Sequence, residues 1–269
     1  LWLGLGFCAP WILGMLVFLG YPLGISLYHS FCDYSVLLPP VFIGVENYRE
    51  LLTDDLFWLS LWNTGVYAFF AVLLGLFTSL TLALLLNSRV RGVGFYRALF
   101  FIPSLIPAVA GSVLWLYMYN GRSGIFNTLL AKVGVSGPAW LADPAFAKPA
   151  IILMAAWGAG HAMLIFLAGL QDVPESQLES ALLDGAGFWR RLWHVTLPMI
   201  SPTIYFNLIM GTIAGFQVFT QAFIMTGGEG APERSTLFYV LRLYNLAYQD
   251  LRMGLASAMA WILFAIVLS

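Results

Sequence analysis

The chain has 269 residues, of which 61% are hydrophobic and only 9% are charged, and its 12 basic and 13 acidic side chains give a net charge of −1. Soluble domains carry about 25% charged residues, so this composition excludes a water-soluble globular domain. The near-neutral balance supplies no basic surface, which argues against nucleic acid as a partner.

Six runs of sequence contain no charged residue, and each reaches or nearly reaches the length of a membrane span. A hydrocarbon core of about 30 Å needs about 20 helical residues. A membrane β-barrel would instead show alternating segments of about ten residues, so the runs predict an all-α transmembrane fold. We place six spans in a single domain covering 1–269, at about 8–28, 62–86, 98–119, 149–170, 199–225 and 251–269.

The first span is expected to be a retained helix. A signal peptide is the alternative, but the apolar region of a signal peptide has about 7 to 15 residues, and the first charged residue here is Asp33. Because the sequence begins at Leu1 and stops at Ser269 within apolar runs, we expect short segments before and after it. The spacing of Cys8 and Cys32 does not suit a metal site, so we expect two unpaired thiols.

The connectors between spans differ in charge, and this difference sets the expected orientation. The short link 87–97 contains three arginines and no acid, whereas the first long connector is mainly acidic. The arginines are Arg89, Arg91 and Arg97. Since short basic loops stay in the cytoplasm, we place this link inside, together with the connector 171–198. The connectors 120–148 and 226–250 are then expected outside.

The third span contains two prolines and ends near a tyrosine. Pro103 and Pro107 lack the backbone N–H that a helix needs and should bend the span, which either opens a cavity or only tilts the helix. Tyr117 falls near the proposed outer end, where an aromatic ring with a polar tip favours the membrane interface. Tyr117 is therefore either an interface anchor or a candidate contact for a transported solute.

His161 is the one ionisable acid or base deep within a predicted span, and Arg252 stands at the very start of the sixth. A transporter driven by an ion gradient needs such groups, because protons and sodium ions must bind within the membrane. Energy is therefore expected from another source. A charged solute would also need a counter-charge there, so the spans favour a neutral, hydroxyl-rich solute. His161 either packs between helices or contacts this solute.

Amide and hydroxyl side chains of the fifth span suit such a solute, because they form hydrogen bonds without burying charge. Gln217 and Gln221 are four residues apart and would share one helical face, with Asn207 about 80° away. Thr212 adds a hydroxyl nearby. The alternative for each of these residues is a hydrogen bond that joins neighbouring helices.

The stretch from Glu175 to Pro202 is too polar to span the membrane and too patterned for a plain loop. Pro174 suits a first helical turn, and Gly185 should end the helix after about ten residues. Small side chains on this helix would let a partner approach closely. Pro198 is expected to open the next span. The pattern predicts a short helix along the membrane face that docks a partner.

This stretch resembles the EAA motif of permease subunits in binding-protein-dependent ABC importers. The matching residues are Glu179, Ser180, Ala181, Gly185, Val195, Leu197 and Pro198. Their spacing agrees throughout, with Ser180 and Val195 in place of an alanine and an isoleucine of similar size. The resemblance extends over nearly the whole chain, to Phe42-Ile43-Gly44, Asn47-Tyr48, Phe101-Ile102-Pro103, Leu167 to Gln171 and Thr226-Gly227-Gly228. The combination is similar to the sugar-importer branch, in a MalF-like or UgpA-like role.

The resemblance implies a MetI-like bundle of six helices with a cytoplasmic coupling helix, in the cytoplasmic (inner) membrane of a prokaryote. The implied partners are a second, homologous permease, two ABC ATPase subunits that carry ATP and Mg²⁺, and an extracytoplasmic solute-binding protein. This chain would hold no cofactor and no metal. In the implied coupling set, Glu179 pairs with a basic group of the ATPase and Gly185 allows a sharp exit turn. The set is Glu179, Ser180, Ala181, Asp184, Gly185, Ala186, Leu197 and Pro198.

The sequence has no glycine-rich loop of the form GxxxxGK[ST], so ATP hydrolysis is assigned to a partner and the chain is predicted to be a non-catalytic transport subunit. The main hypothesis is an importer of a neutral carbohydrate, a di- or oligosaccharide or a glycerol-phosphate-type solute. One alternative is a facilitator or secondary transporter that acts alone. Another is an importer of an ion such as phosphate or a polyamine, which would need a counter-charge in the spans.

Overall fold

Helices make up most of the chain in the computed structural model, which describes residues 2–88 and 91–269. Arg89, on which the predicted orientation partly depends, lies outside the described residues. The α helices are α1 Trp2–Met15, α2 Tyr21–His29, α3 Glu46–Thr53, α4 Asp55–Leu86, α5 Val93–Leu105, α6 Ala108–Met118, α7 Ile125–Lys132, α8 Pro144–Trp157, α9 Gly160–Gln171, α10 Glu175–Leu183, α11 Phe188–Arg191, α12 Leu197–Met199, α13 Ser201–Phe216, α14 Thr220–Met225, α15 Tyr239–Tyr244 and α16 Met253–Leu268. Short π-helical turns at Leu16–Gly20, Leu192–Thr196 and Asn245–Gln249 extend neighbouring α helices.

The predicted all-α transmembrane class is confirmed, and apolar helices lie at all six predicted positions. Within the described residues, Phe7–His29 and Asp55–Leu86 are each long and apolar enough to cross a bilayer unbroken. The count rises to five when each of three bent helix pairs is taken as one span. The last predicted span corresponds to α16, an apolar helix of 16 residues.

The third predicted span is sharply bent. Helices α5 and α6 meet at an angle of 97°. Pro107 stands at the break, and the preceding Ile106 is extended, with φ −73° and ψ 127°. A residue before proline avoids the helical conformation because the proline ring would clash with it. The predicted bend is therefore confirmed at Pro107, whereas Pro103 stays inside α5.

The fourth and fifth predicted spans are also broken, which corrects the expectation of continuous helices. Helices α8 and α9 meet at 46° across Gly158 and Ala159. The fifth span ends as α13 at Phe216 and resumes as α14 at Thr220. Between them, Phe219 has φ −142° and ψ −61°, which is not helical.

The start of the fifth span differs from the prediction as well. Pro198 does not open it, because this residue lies inside the continuous helical stretch Phe188–Met199. The chain then bends by 69°, and α13 begins at Ser201. Pro202 occupies the first turn of α13, where its missing N–H leaves no helical hydrogen bond unmade.

Two helices reach further than the predicted charge-free spans. Helix α5 includes Arg97 and helix α8 includes Lys148. The Lys148 Nζ donates to Asn63 Oδ1 over 2.9 Å. The Asn63 amide in turn donates to the backbone carbonyls of Arg234 and Leu237. Lys148 therefore positions the Asn63 side chain, which in turn anchors the segment after α14.

The chain ends, up to Ser60 and from Val240 onward, form one compact unit. This unit adds a small antiparallel hairpin to the predicted all-helical fold, with strands β1 Cys32–Ser35 and β2 Leu38–Phe42. Asn47 is buried and donates to the carbonyls of Ser30 and Cys32. Helix α16 packs on β1, and Gly254 makes this possible because a Cβ there would collide with the Cys32 carbonyl oxygen.

Residues Leu61–Tyr239 form the other compact unit. Helix α13 lies close to α4 within it, since a Cβ on Gly215 would be 3.0 Å from the Cβ of Ala68 and one on Gly211 would be 3.4 Å from a Val72 methyl. Small residues four apart permit such close helix contacts in membranes. This Gly-xxx-Gly pair brings the polar side chains of α13 next to α4.

Candidate functional site

Two neighbouring cavities open inside the unit Leu61–Tyr239, where the three broken helices come together. Their volumes are about 470 Å³ and about 270 Å³. The break before α6 contributes Ala108 to both cavities, and the break between α8 and α9 contributes Gly158 to both. The break between α13 and α14, residues 217–219, lines the larger cavity.

The helix breaks matter because they leave backbone N–H and C=O groups without helical partners. Irregular backbone at membrane depth is tolerated only where it is covered by protein or lines a cavity. Transporter binding sites are commonly built from such discontinuous helices. The convergence of three breaks on one pair of cavities therefore makes this region the candidate solute site.

The walls of both cavities are mainly apolar and bear several polar groups, but among the described residues they carry no acidic side chain, lysine or arginine. The larger cavity has hydroxyl and amide groups from Tyr67, Asn207, Gln217, Thr220 and Gln221. The smaller cavity shares Tyr67 and Gln221 and adds Ser104 and His161. Such groups can hydrogen-bond a neutral solute, and they offer no counter-charge to an ionic one.

The predicted amide residues reach the larger cavity by a different geometry from the one expected. Gln217 is the C-cap of α13, and Gln221 belongs to α14, so the two do not share one helical face. Both nevertheless line the larger cavity. Asn207 lines it too and is buried, with its amide donating to the Thr203 carbonyl over 3.0 Å.

His161 is the second residue of α9, directly after a break rather than in the middle of a straight span. It lines the smaller cavity and stacks on Phe101, with 5.2 Å between ring centroids. His161 therefore packs against a neighbouring helix and can also contact a solute in the smaller cavity. Tyr117 and Thr212 line neither cavity: Tyr117 is 72% exposed, and the Thr212 hydroxyl donates to its own helix at Leu208.

The predicted coupling helix is present as α10. Pro174 precedes its first residue, and Asp184 is its C-cap. Gly185 follows with φ +75°, and the Ala186 N–H donates to the Ala181 carbonyl over 2.9 Å. This is the Schellman pattern that ends a helix with a left-handed residue. Gly185 therefore sets the exit turn, as its position predicted.

The coupling set divides into an exposed part and a packed part. Glu179, Ser180, Asp184 and Gly185 are exposed, and Leu183 beside them is 88% exposed. Leu178 on the same helix packs against a core cluster that also contains Leu197. Pro198, by contrast, is exposed. The helix thus offers one face to a partner and keeps the other attached to the core.

That core cluster joins α10 to the spans. Its buried members come from α4, α9, the link between α9 and α10 and the turn before α13, and they include Leu86, Phe166, Val173 and Ile200. Interiors of this kind are packed densely and resist compression, so α10 is firmly attached to the helices beneath it.

Comparison with known proteins identifies the family. Residues 71–269 match the family described as "Binding-protein-dependent transport system inner membrane component". The chain belongs to this family. It is the membrane-spanning permease subunit of a binding-protein-dependent ABC importer, as the resemblance in the sequence predicted.

Relatives and solved structures agree with this assignment. The permease is 42% identical over 267 residues to the probable ABC transporter permease protein YesP of Bacillus subtilis (strain 168), covering 98% of this chain and 86% of the relative. It is 35% identical to the trehalose/maltose transport system permease protein MalF of Thermococcus litoralis, covering 88% and 80%. A crystal structure of a bacterial alginate ABC transporter, in complex with an alginate pentasaccharide-bound periplasmic protein, superposes with a TM-score of 0.86 at 25% identity, covering 99% of the permease and 90% of that chain.

Sequence reasoning missed Tyr67, which lines both cavities of the permease. A polar pattern marks this residue, because Asn63, Thr64 and Tyr67 follow one another at helical spacing in an otherwise apolar run. Asn63 and Thr64 bind the segment after α14, the latter by accepting from the Tyr239 N–H. The pattern could have identified a polar face on α4, although not the cavity.

The unit formed by the chain ends contains a network of charged side chains. The Arg252 guanidinium donates to both carboxylate oxygens of Glu50 over 2.6 Å. Arg242 contacts Asp54 at 3.2 Å. The hydrogen bonds from Arg252 hold the pKa of the Glu50 carboxyl below its usual value. Within the described residues, no group of three or more His, Cys, Asp or Glu side chains is arranged to hold a metal ion.

Proposed function

We propose that this permease forms half of the membrane path of an ATP-driven importer for a neutral carbohydrate. The observation that carries the proposal is the pair of cavities at three helix breaks. Their mainly apolar walls bear hydroxyl, amide and aromatic groups, with no acid, lysine or arginine among the residues that the structure describes. A neutral sugar has many hydroxyls and no charge. It can therefore form hydrogen bonds with these groups without the free-energy cost of burying an ion.

The names of several relatives support a carbohydrate as the solute. The solutes in these names differ in charge. One relative is the lactose transport system permease protein LacF of Rhizobium radiobacter, and MalF of Thermococcus litoralis is named for trehalose and maltose. Others are named for sn-glycerol-3-phosphate or sulfoquinovosyl glycerol. A phosphate or sulfonate would find no lysine or arginine among the described residues that line the cavities, which favours the neutral sugars.

The proposal assigns the energy source to partners. Helix α10 would dock on an ABC ATPase that binds ATP and Mg²⁺, with Glu179 pairing to a basic group there. The complete assembly would contain a second permease, two ATPase subunits and an extracytoplasmic binding protein, in the cytoplasmic membrane of a prokaryote. The exposed acids and leucines of α10, together with its packed inner face, support this function. The permease itself would be non-catalytic.

Reconstitution into vesicles tests the proposal. We expect radiolabelled maltose, trehalose or lactose to enter vesicles that contain the whole transporter, in a manner that requires ATP and the binding protein. The permease alone is the control and should give no flux. Sugar flux through the permease alone would instead support a facilitator. Uptake of sn-glycerol-3-phosphate with none of the sugars would overturn the proposed solute class.

A further inference from the structure

Tyr67 occupies the wall that the two cavities share. Of the residues that the structure describes, five line both cavities, and among these five only Tyr67 and Gln221 carry polar side chains; the others are Ala108, Ala155 and Gly158. Tyr67 belongs to α4, and its ring lies against Phe238 with 5.0 Å between centroids. Tyr67 and Gln221 are therefore the polar groups that this wall offers to a solute in either cavity.

The Tyr67 side chain is buried but its hydroxyl is not paired. The residue is only 6% exposed. Within the part of the chain that the structure describes, its hydroxyl makes no hydrogen bond, and its oxygen is not among the fully enclosed polar atoms without a partner. The hydroxyl therefore keeps part of the small exposed surface of a residue that lines both cavities.

Another buried tyrosine of the same unit shows the contrast. Tyr119 is 2% exposed, and its hydroxyl donates to the Ala150 carbonyl over 2.8 Å. The Tyr119 hydroxyl therefore already has a hydrogen-bond partner within the protein. Because a buried hydroxyl is costly to leave without a partner, the free hydroxyl of Tyr67 needs a partner from the cavity.

We propose that Tyr67 is a specificity-determining contact, whose hydroxyl exchanges a hydrogen bond with one hydroxyl of the transported sugar. This inference rests on the proposed function, in which the cavities hold a neutral carbohydrate. A site built to hydrogen-bond a particular hydroxyl rejects an analogue that lacks it, because the group of the site is then left unpaired. Tyr67 therefore selects among sugars by the position of one hydroxyl.

The test compares Tyr67→Phe with the native permease in the whole transporter reconstituted in vesicles. Maltose, trehalose and lactose are supplied at saturating concentration, so that capture by the binding protein does not limit the rates. We expect Tyr67→Phe to slow uptake of the best of these sugars by about three- to tenfold, the effect of one hydrogen bond. The ratio of rates among the three sugars should also change.

A series of monodeoxy analogues of the best sugar separates contact from structural damage. If Tyr67 pairs with one hydroxyl, removing that hydroxyl slows the native transporter by about three- to tenfold but leaves the rate of Tyr67→Phe unchanged. Equal effects in both transporters at every position would overturn the inference. A general loss of structure would slow all analogues by the same factor.

Two matched substitutions serve as controls. Tyr117→Phe removes an exposed hydroxyl that lines neither cavity and should leave all rates unchanged. Tyr119→Phe removes a structural hydrogen bond and should lower the melting temperature without changing the preference among sugars. If the native transporter carries none of the three sugars, the proposed function itself fails. If it carries one and Tyr67→Phe has no effect, only the present inference fails.

Discussion

Gly160 shows how a single residue sets the distance between two helices. A Cβ at this position would lie 2.9 Å from the Phe100 carbonyl oxygen and 3.1 Å from the Phe101 Cα. Both neighbours are backbone atoms, which cannot rotate away as a side chain can. Helix α9 can therefore approach α5 only because residue 160 is glycine, and this approach brings His161 onto Phe101 beside the smaller cavity.

We expect Gly160→Ala to lower the free energy of unfolding by about 1–3 kcal/mol, since overpacking forces the helices apart. The measurement is the melting temperature of the purified transporter in detergent. Gly65→Ala is the control, because a Cβ there would meet nothing within 4 Å. A melting temperature that falls equally in both variants would contradict the packing argument.

Helix α10 depends on one backbone conformation at its end. Gly185 has φ +75°, whereas Gly187 two residues later has φ −67°, which any residue can adopt. A side chain in the left-handed conformation costs about 1–2 kcal/mol. The exit turn of the coupling helix should therefore be disturbed by a side chain at residue 185 but not by one at residue 187.

We expect Gly185→Ala to reduce ATP-driven sugar uptake about fivefold or more, because about 1–2 kcal/mol of strain shifts the turn, while the permease remains in the membrane. Gly187→Ala should keep full uptake. The comparison uses uptake rate divided by the amount of permease in the membrane fraction. Full activity of Gly185→Ala would show that the turn is not needed for coupling.

The pair of Glu50 and Arg252 joins α3 to the residue before α16. Both side chains are 48% exposed, so the pair should contribute no more than about 1 kcal/mol. The pKa of Glu50 is lowered in the folded permease by its bonds from Arg252. A lowered pKa adds stability at pH values above the unfolded pKa of Glu50, and this stability is lost as the pH falls through the folded pKa.

We expect Glu50→Gln to lower the melting temperature slightly at pH 7 and to match the native permease in strongly acidic buffer. Melting curves over a pH series provide the measurement, and Arg252→Gln with the double variant completes a cycle that isolates the pair. If the difference in melting temperature between Glu50→Gln and the native permease grew as the pH fell, the expected direction of the pH dependence would be contradicted.

At the scale of the assembly, Leu183 is the most exposed apolar side chain of α10. It is 88% exposed in this chain, and Leu182 next to it is 57% exposed. Burying a leucine is worth about 1.5–3 kcal/mol. A partner ATPase that covers this surface would therefore gain much of its affinity from these two residues.

We expect Leu183→Ser to weaken copurification of the ATPase with the permease by about tenfold or more, consistent with losing the burial of one leucine. Leu129→Ser in α7 is the matched control, because that leucine is also exposed but lies in a connector expected on the other side of the membrane. Equal loss of the ATPase in both variants would contradict docking through α10.

The sequence alone determined the membrane class, the positions of six apolar segments and the short coupling helix. Each depends on local features: charge-free runs, the proline before α10 and the glycine after it. The bend at Pro107 belongs to the same group, since proline restricts the residue before it wherever it occurs. These features act within a few residues, so they can be read in sequence order.

Only the tertiary structure decided where the candidate solute site lies. The break at residues 217–219 contains neither glycine nor proline, so nothing local marks it, and a continuous helix placed Gln217 and Gln221 wrongly on one face. Tyr67 became a candidate because the breaks of three helices meet next to it. A cavity is formed by residues distant in sequence, and its walls depend on how helices pack rather than on what each helix contains.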